Sequence, residues 1–423
     1  YYFSTTENFE DCLRLLLEFV STPYFTEESV EKERGIIDQE IGMNLDSPDS
    51  RIFDSLMESL FQVHPIRVPI LGTSDTIREI TPEVLYNCHR AFYTPDNMLL
   101  CVIGDVDPEK VTAIAREILG TEHKEAGVKL QSWEEPMTCV QAETTASMEV
   151  AMPMFNLAFK CEPMDKGAAG IRTEMVADLA AEALFGESSE LYLKLYEEGL
   201  IDSSFGGGFE TIDGCAMLLC SGDSDDPRAV RDALITQAEK IVQEGITESH
   251  FLRLKRSALG RRIRGLDSFD STCFRVCAYH LAQFDYFEFP RVYESIREEE
   301  IRAFLADTVT ESRCALSVIR PLTYHHRTKE IRWQNLHHQG LLIPVGVGDD
   351  DRFLITQLVH TGTTGYTASL LPCNADVIVI TVAGGGHSDQ CHSAAFGIQT
   401  KHTRHAVFVL EQLHRQQVIE NRN

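Results

Sequence analysis

Met98-Leu99-Leu100-Cys101 runs into Gly104-Asp105 and Asp107-Pro108, and Met217-Leu218-Leu219-Cys220 runs into Gly222-Asp223 and Asp226-Pro227. In each stretch an apolar strand ends at a Gly-Asp turn and a helical pattern follows, to Leu119 in the first and Val242 in the second. Proline fits the first turn of a helix, where a missing N–H leaves nothing unpaired. Two copies of one strand–turn–helix unit, 119 residues apart, predict a duplicated α+β domain. The first copy lies in residues 1–120, a polar linker covers 121–137, and the second domain covers 138–322.

Working outward from the first copy, residues 1–5 read as a strand. Asn8 caps a helix to about residue 20, and Thr26 caps a long helix over 27–45. Asp46-Ser47-Pro48 ends it, because the residue before proline avoids the helical region. Helices follow over 51–62 and 82–92, then a strand over 98–103 and a helix over 108–119. The second domain reads as strands within 146–160, helices over 171–185 and 189–198, and strands over 202–209 and 215–221. Helices over 227–243, 247–264, 268–283 and 297–307 and a strand over 314–319 complete it. The expected architecture is two similar domains, each a mainly antiparallel sheet covered by helices.

The 423 residues carry a net charge of −27, and 43% of them are apolar. Such an acidic balance argues against nucleic acid and anionic membrane surfaces as partners. It fits a solvated acidic surface or a chamber that favours basic peptides. No apolar run approaches the ~20 residues of a membrane helix. Twelve cysteines occur without a Cys-x-x-Cys pair, so a reduced, cytoplasmic chain with buried free thiols is expected. Cys273 and Cys277 are four apart, on one helix face, but two thiols do not make a zinc site.

Residues 324–423 differ from the rest. They hold eight acidic and eight basic side chains, and ten of the fifteen histidines. We therefore expect 323–423 to be an atypical tail, disordered or read out of frame. Its pairs His325-His326, His337-His338 and His402/His405 lack a ligand framework. Gly346-x-Gly348 and Gly384-Gly385-Gly386 lack the rest of a phosphate-binding fingerprint.

The helix after Thr26 carries the densest signal. At about 100° per residue from Val30, Ile37, Ile41 and Ile36 fall within about 120° on one stripe, and Glu33 and Glu40 fall inside that stripe. Glu31, Lys32, Arg34, Asp38 and Gln39 take the other side. Glu33 and Glu40 are seven residues apart, stacked ~10.5 Å along the axis. A carboxylate on an apolar face needs a partner. That partner is either an ordinary salt bridge or a metal, or a histidine that binds one.

The run Val30-Glu31-Lys32-Glu33-Arg34-Gly35-Ile36-Ile37-Asp38-Gln39-Glu40-Ile41 resembles the distal-glutamate helix of insulinase–pitrilysin (inverzincin) zinc peptidases, in their bacterial processing-peptidase-like branch. The series continues through Asp46-Ser47-Pro48, His64-Pro65, Leu71-Gly72-Thr73 and Phe92-Tyr93-Thr94-Pro95-Asp96-Asn97. Leu184-Phe185-Gly186, Leu191-Tyr192 and Glu198-Gly199-Leu200 are similar to the paired second half. The resemblance spans about residues 1–322.

It implies zinc-dependent endoproteolysis of peptides, with Glu40 as the third zinc ligand and Glu33 orienting a ligating histidine. The family's His-x-x-Glu-His helix supplies the other two ligands and the general base. No histidine here starts that pattern. In the family it lies upstream, and a chain opening mid-strand at Tyr1-Tyr2-Phe3-Ser4-Thr5 is expected to be an N-terminally truncated piece. Zinc would belong to the intact parent and be held weakly by this chain, because catalytic sites use three protein ligands. Substrate-holding by an arginine and a tyrosine is implied for Arg275 with Tyr279 or Tyr286, although Ala282 stands at the expected seven-residue spacing. Arg275 also reads as a surface ion-pair residue. A second peptidase-like subunit could supply such groups. His64, His89 and His280 read as packing residues. The competing reading is a non-catalytic scaffold or partner subunit of the same fold.

Overall fold

The computed structural model describes residues 1–120, 133–212, 214–322 and a strand at 378–382. In chain order the first part holds β1 (Tyr2–Thr5), α1 (Phe9–Ser21), α2 (Glu27–Asp46), α3 (Pro48–Leu60), α4 (Pro82–Phe92), β2 (Leu100–Ile103) and α5 (Pro108–Leu119). The second holds β3 (Glu143–Met148), β4 (Met154–Cys161), α6 (Gly167–Phe185), α7 (Glu190–Glu197), β5 (Gly206–Ile212), β6 (Cys215–Asp223) and α8 (Pro227–Glu244). It continues with α9 (Glu248–Gly265), α10 (Phe269–Leu281), α11 (Phe289–Ser295), α12 (Glu298–Thr308) and β7 (Cys314–Pro321), and β8 (Ile378–Val382) comes last.

The repeated unit is present in both copies. Asp107 accepts the N–H of Glu109 at the start of α5, and Asp226 accepts that of Ala229 at the start of α8. Pro108 and Pro227 occupy the first helical turns. Both helices end on a glycine of positive φ, Gly120 at 76° and Gly245 at 78°, a conformation that a Cβ disfavours.

The larger sheet has the order β3-β7-β4-β6-β5, with β3 parallel to β7 and the other pairs antiparallel. Side chains alternate across it with period two. Phe155, Leu157 and Phe159 of β4, Leu218 of β6 and Leu316 and Val318 of β7 share one core with α6, α8 and α12. On the opposite face Ala158, Met217 and Ala315 meet Leu56, Met57 and Leu60 of α3. Burying each such leucine contributes about 2 kcal/mol.

The smaller sheet has the order β1-β8-β2, and both pairings are parallel in place of the expected antiparallel arrangement. Helical crossovers carry the chain from β1 to β2, and such connections return it to the same end of a sheet. One face of this sheet packs Leu100 and Val102 with Leu13, Leu17 and Ile114 of α1 and α5. The other packs Cys101 and Ile103 against Cys273 and Cys277 of α10. The two halves thus cover each other reciprocally: α3 lies on the second sheet and α10 on the first.

Of the tail expected to be atypical, only β8 belongs to the described residues. Its histidine pairs and glycine clusters lie outside them. Among the described residues no helix is long and apolar enough to cross a membrane.

Candidate metal centre

Helix α2 is set by a reciprocal cap. The Thr26 hydroxyl accepts the Ser29 N–H at 3.1 Å and the Ser29 hydroxyl accepts the Thr26 N–H at 3.0 Å. Just before it, the Phe25 N–H donates to the Tyr86 hydroxyl of α4 at 2.9 Å. Val30, Ile37 and Ile41 are buried against Leu71, Ile77, Ile80 and Leu85, which fixes the rotation of the helix.

That rotation leaves Glu33 and Glu40 half-buried on one side. Oε1 of Glu33 is buried and has no hydrogen-bond partner among the described residues. Burial pushes the Glu33 carboxyl above its ordinary pKa, Lys32 opposes the rise, and the charge of Glu40 adds to it. The two carboxylates expected to work together therefore sense each other. Arg34, expected on the far side, is instead largely covered: it pairs with Glu31 at 2.8 Å and donates to the Arg78 carbonyl.

An orphaned, buried carboxylate oxygen is an acceptor set for a donor, and the N–H of a metal-bound imidazole is a donor of that type. A neighbouring carboxylate is an ordinary zinc ligand. The residue types of Glu33 and Glu40 are compatible with outer and inner positions of a zinc site. Among the described residues no group of three or more His, Cys, Asp or Glu side chains gathers to hold a metal ion.

In the second half, the Tyr279 hydroxyl donates to Glu174 at 2.6 Å and takes a bond from Arg262. Arg262 is 7% exposed and also reaches Tyr293, Glu174 and Asp178 at 3.0, 3.0 and 2.9 Å. Burial raises Asp178 to about 6, with Arg262 opposing and Glu174 adding. Tyr286 is buried, its ring 5.2 Å from that of Tyr279, and its hydroxyl has no partner among the described residues. Arg275 is half-buried and acts on Asp178 through space. Both tyrosines face the core, whereas Arg275 stays at the surface of α10.

Three histidines have plain surroundings. His64 caps a short 3-10 turn by accepting the Ile66 N–H. His89 bonds the Val20 carbonyl at 2.8 Å and stacks on Tyr93. His280 is exposed.

Two charged clusters carried signals that the sequence reading passed over. Arg262 continues the four-residue spacing of buried Leu254 and Ala258. Lys160 lies on the same face of β4 as Ala158 and is buried against Glu135 at 3.0 Å.

Two α+β halves, each covered in part by a helix of the other, frame the comparison with known proteins. Residues 1–74 match the family model for insulinase (peptidase family M16), and 79–258 match that for the peptidase M16 inactive domain. The uncharacterized zinc protease YmfH of Bacillus subtilis is 32% identical over 326 residues, covering 76% of each chain. Among solved structures, an M16-like protein from Alicyclobacillus acidocaldarius superposes with TM-score 0.70 at 26% identity, covering 75% of this chain and 76% of its own. A protease from Helicobacter pylori gives TM-score 0.63 at 16% identity, covering 74% and 77%. The chain belongs to the insulinase family, peptidase family M16.

Proposed function

We propose that this chain supplies the distal carboxylates of a zinc-dependent endopeptidase, with Glu40 as a metal ligand and Glu33 as the group that orients a ligating histidine. The observation that carries this reading is the placement of both carboxylates on one side of α2, with one Glu33 oxygen buried and without a hydrogen-bond partner among the described residues. Bound zinc would polarise the scissile carbonyl and acidify water. The chain's own part is to hold negative charge at Glu40 and accept a proton-bearing nitrogen at Glu33. The substrate is a peptide, taken as an added strand at a sheet edge. On the same reading the chain works in the cytoplasm and is inactive alone, because it holds no His-x-x-Glu-His segment.

A second reading, a non-catalytic scaffold or partner subunit, is favoured by the inward-facing hydroxyls of Tyr279 and Tyr286. Zinc content and peptide hydrolysis separate the two. They are measured on this chain and on a form preceded by a family His-x-x-Glu-His segment. The enzyme reading expects one tightly held zinc and cleavage in the extended form, both lost in Glu40→Gln. An extended form that binds no zinc and cuts nothing, even with a second peptidase-like subunit present, selects the scaffold.

A further inference from the structure

Three thiols meet where the second half covers the first sheet. Cys273 and Cys277 are fully buried on α10 and pack against Cys101 of β2. The Cys273 thiol lies 3.6 Å from the Cys101 carbonyl oxygen, and Cys101 packs against both helix thiols. Cys101 is half-buried and sits on β2, an edge strand of its sheet.

From this geometry we propose that Cys101 is a site of reversible oxidation by hydroperoxides, and that Cys273 or Cys277 resolves the product into a disulfide between β2 and α10. The Cys101 sulfur attacks one oxygen of the hydroperoxide and the O–O bond breaks. The sulfur loses two electrons and becomes a sulfenic acid, and the other oxygen leaves as alcohol or water with the thiol's proton. A helix thiol then attacks that sulfur. The S–S bond forms as the S–O bond breaks, and the hydroxyl leaves as water with the second thiol's proton.

The pairing partner follows from distance. Side chains four apart on a helix hold their Cβ atoms about 5–6 Å apart, whereas a disulfide needs about 3.5–4.5 Å. Cys273 and Cys277 are therefore poorly placed to bond each other, and the bridge runs to Cys101.

Reactivity also separates this cluster from the other thiols. The Cys273 and Cys277 S–H groups lower the Cys101 pKa, burial opposes them, and His280 assists. Burial pushes Cys161, Cys215 and Cys314 up to about 12, where thiols are inert. A low-pKa, partly exposed cysteine next to a resolving thiol is the arrangement that oxidants select. The proposal is independent of the zinc reading.

The test treats the whole chain with hydrogen peroxide, blocks the remaining thiols and maps tryptic peptides without reduction. Cys101 falls in residues 91–110, Cys273 in 265–275 and Cys277 in 276–291, so each partner gives a distinct cross-linked mass. The expected result is a link from 91–110 to one of the other two, reversed by dithiothreitol. Cys101 should lose its free thiol about tenfold faster than Cys215 or Cys314. Cys101→Ser should abolish the link, and Cys273→Ser and Cys277→Ser should name the resolving residue. The wild-type peptide map stands even if a variant fails to fold. The proposal is overturned if Cys101 stays reduced while other thiols oxidise, or if it goes on to sulfonic acid without a cross-link.

Discussion

The Nζ of Lys160 lies 3.0 Å from Oε1 of Glu135, with the two side chains 1% and 8% exposed. Lys160 also donates to the carbonyls of Pro136 and Thr138 and lies 4.9 Å above the Phe61 ring. Glu135 accepts the N–H groups of Gln62, Val63 and His64, each at 2.7 Å. One ion pair thus fastens the end of α3, the start of the second half and β4.

Replacing Lys160 with Met strands the Glu135 charge among three N–H donors. Breaking one side of a buried pair costs about 3 kcal/mol. Urea unfolding of Lys160→Met should show a loss of that order. A change below about 0.5 kcal/mol would mean that the backbone donors alone satisfy Glu135.

Acid should weaken the same joint. Burial alone would raise Glu135, but the N–H groups of Gln62, His64 and Val63 and the Lys160 ammonium outweigh it and hold its pKa below the ordinary carboxylate value. The unfolded chain then takes up the proton first as pH falls. The stabilisation is complete above the ordinary carboxylate pKa and is lost as pH falls through the lowered folded value. Denaturant midpoints followed downward from neutral pH should fall less steeply in Glu135→Gln than in the parent.

Glu33 carries the opposite sign. Its folded pKa is raised above the ordinary 4.5, so the ionised carboxylate opposes folding above the raised value and has no effect once both states are protonated. Glu33→Gln should stabilise the chain modestly at neutral pH, because it removes the half-buried charge while keeping the shape of the side chain. The gain should vanish in acid. Equal stability of the two forms at neutral pH would show that Glu33 is already well paired.

Arg262 holds two carboxylates and two tyrosines together. Arg262→Met leaves Glu174 and Asp178 facing each other and should cost about 3 kcal/mol. Adding Asp178→Asn should recover part of it in a double-mutant cycle. If the second change makes matters worse, repulsion between the carboxylates is not the cause.

Much of the local structure was legible because its signals are local. The helix over 108–119 begins and ends at a capping Asp, a first-turn Pro and a Gly, and the folded chain agrees. Other boundaries moved for definite reasons. Ser47-Pro48 ends α2 but also opens α3, since the Ser47 hydroxyl accepts the Ser50 N–H and Pro48 takes the first turn. The strand expected over 202–209 starts at Gly206 because Asp202 folds 202–205 into a turn. There the backbones of β5 and β6 close up so far that a Cβ on Gly207 would lie 2.0 Å from the Leu219 carbonyl oxygen.

What was not legible is partnership. The apolar face of α3 is plain in the sequence, but nothing in a periodic stripe says which sheet it will cover. Ile378-Val379-Ile380-Thr381-Val382 is a β-branched run that suits a strand, but its pairing with β1 and β2 is made across hundreds of residues and leaves no local signal. For the candidate site, spacing placed Glu33 and Glu40 on one face. It could not show the burial of Tyr279 and Tyr286, which depends on α6, α9 and α11.

The reciprocal placement of α3 and α10 makes this molecule hard to take apart. A cut between Gly120 and Trp133 would sever the polypeptide without freeing either piece, because each piece would still clasp a sheet belonging to the other. Produced separately, each would leave an apolar sheet face bare and be prone to aggregate. Produced together, they have the interlocking surfaces needed to reassemble as a non-covalent pair.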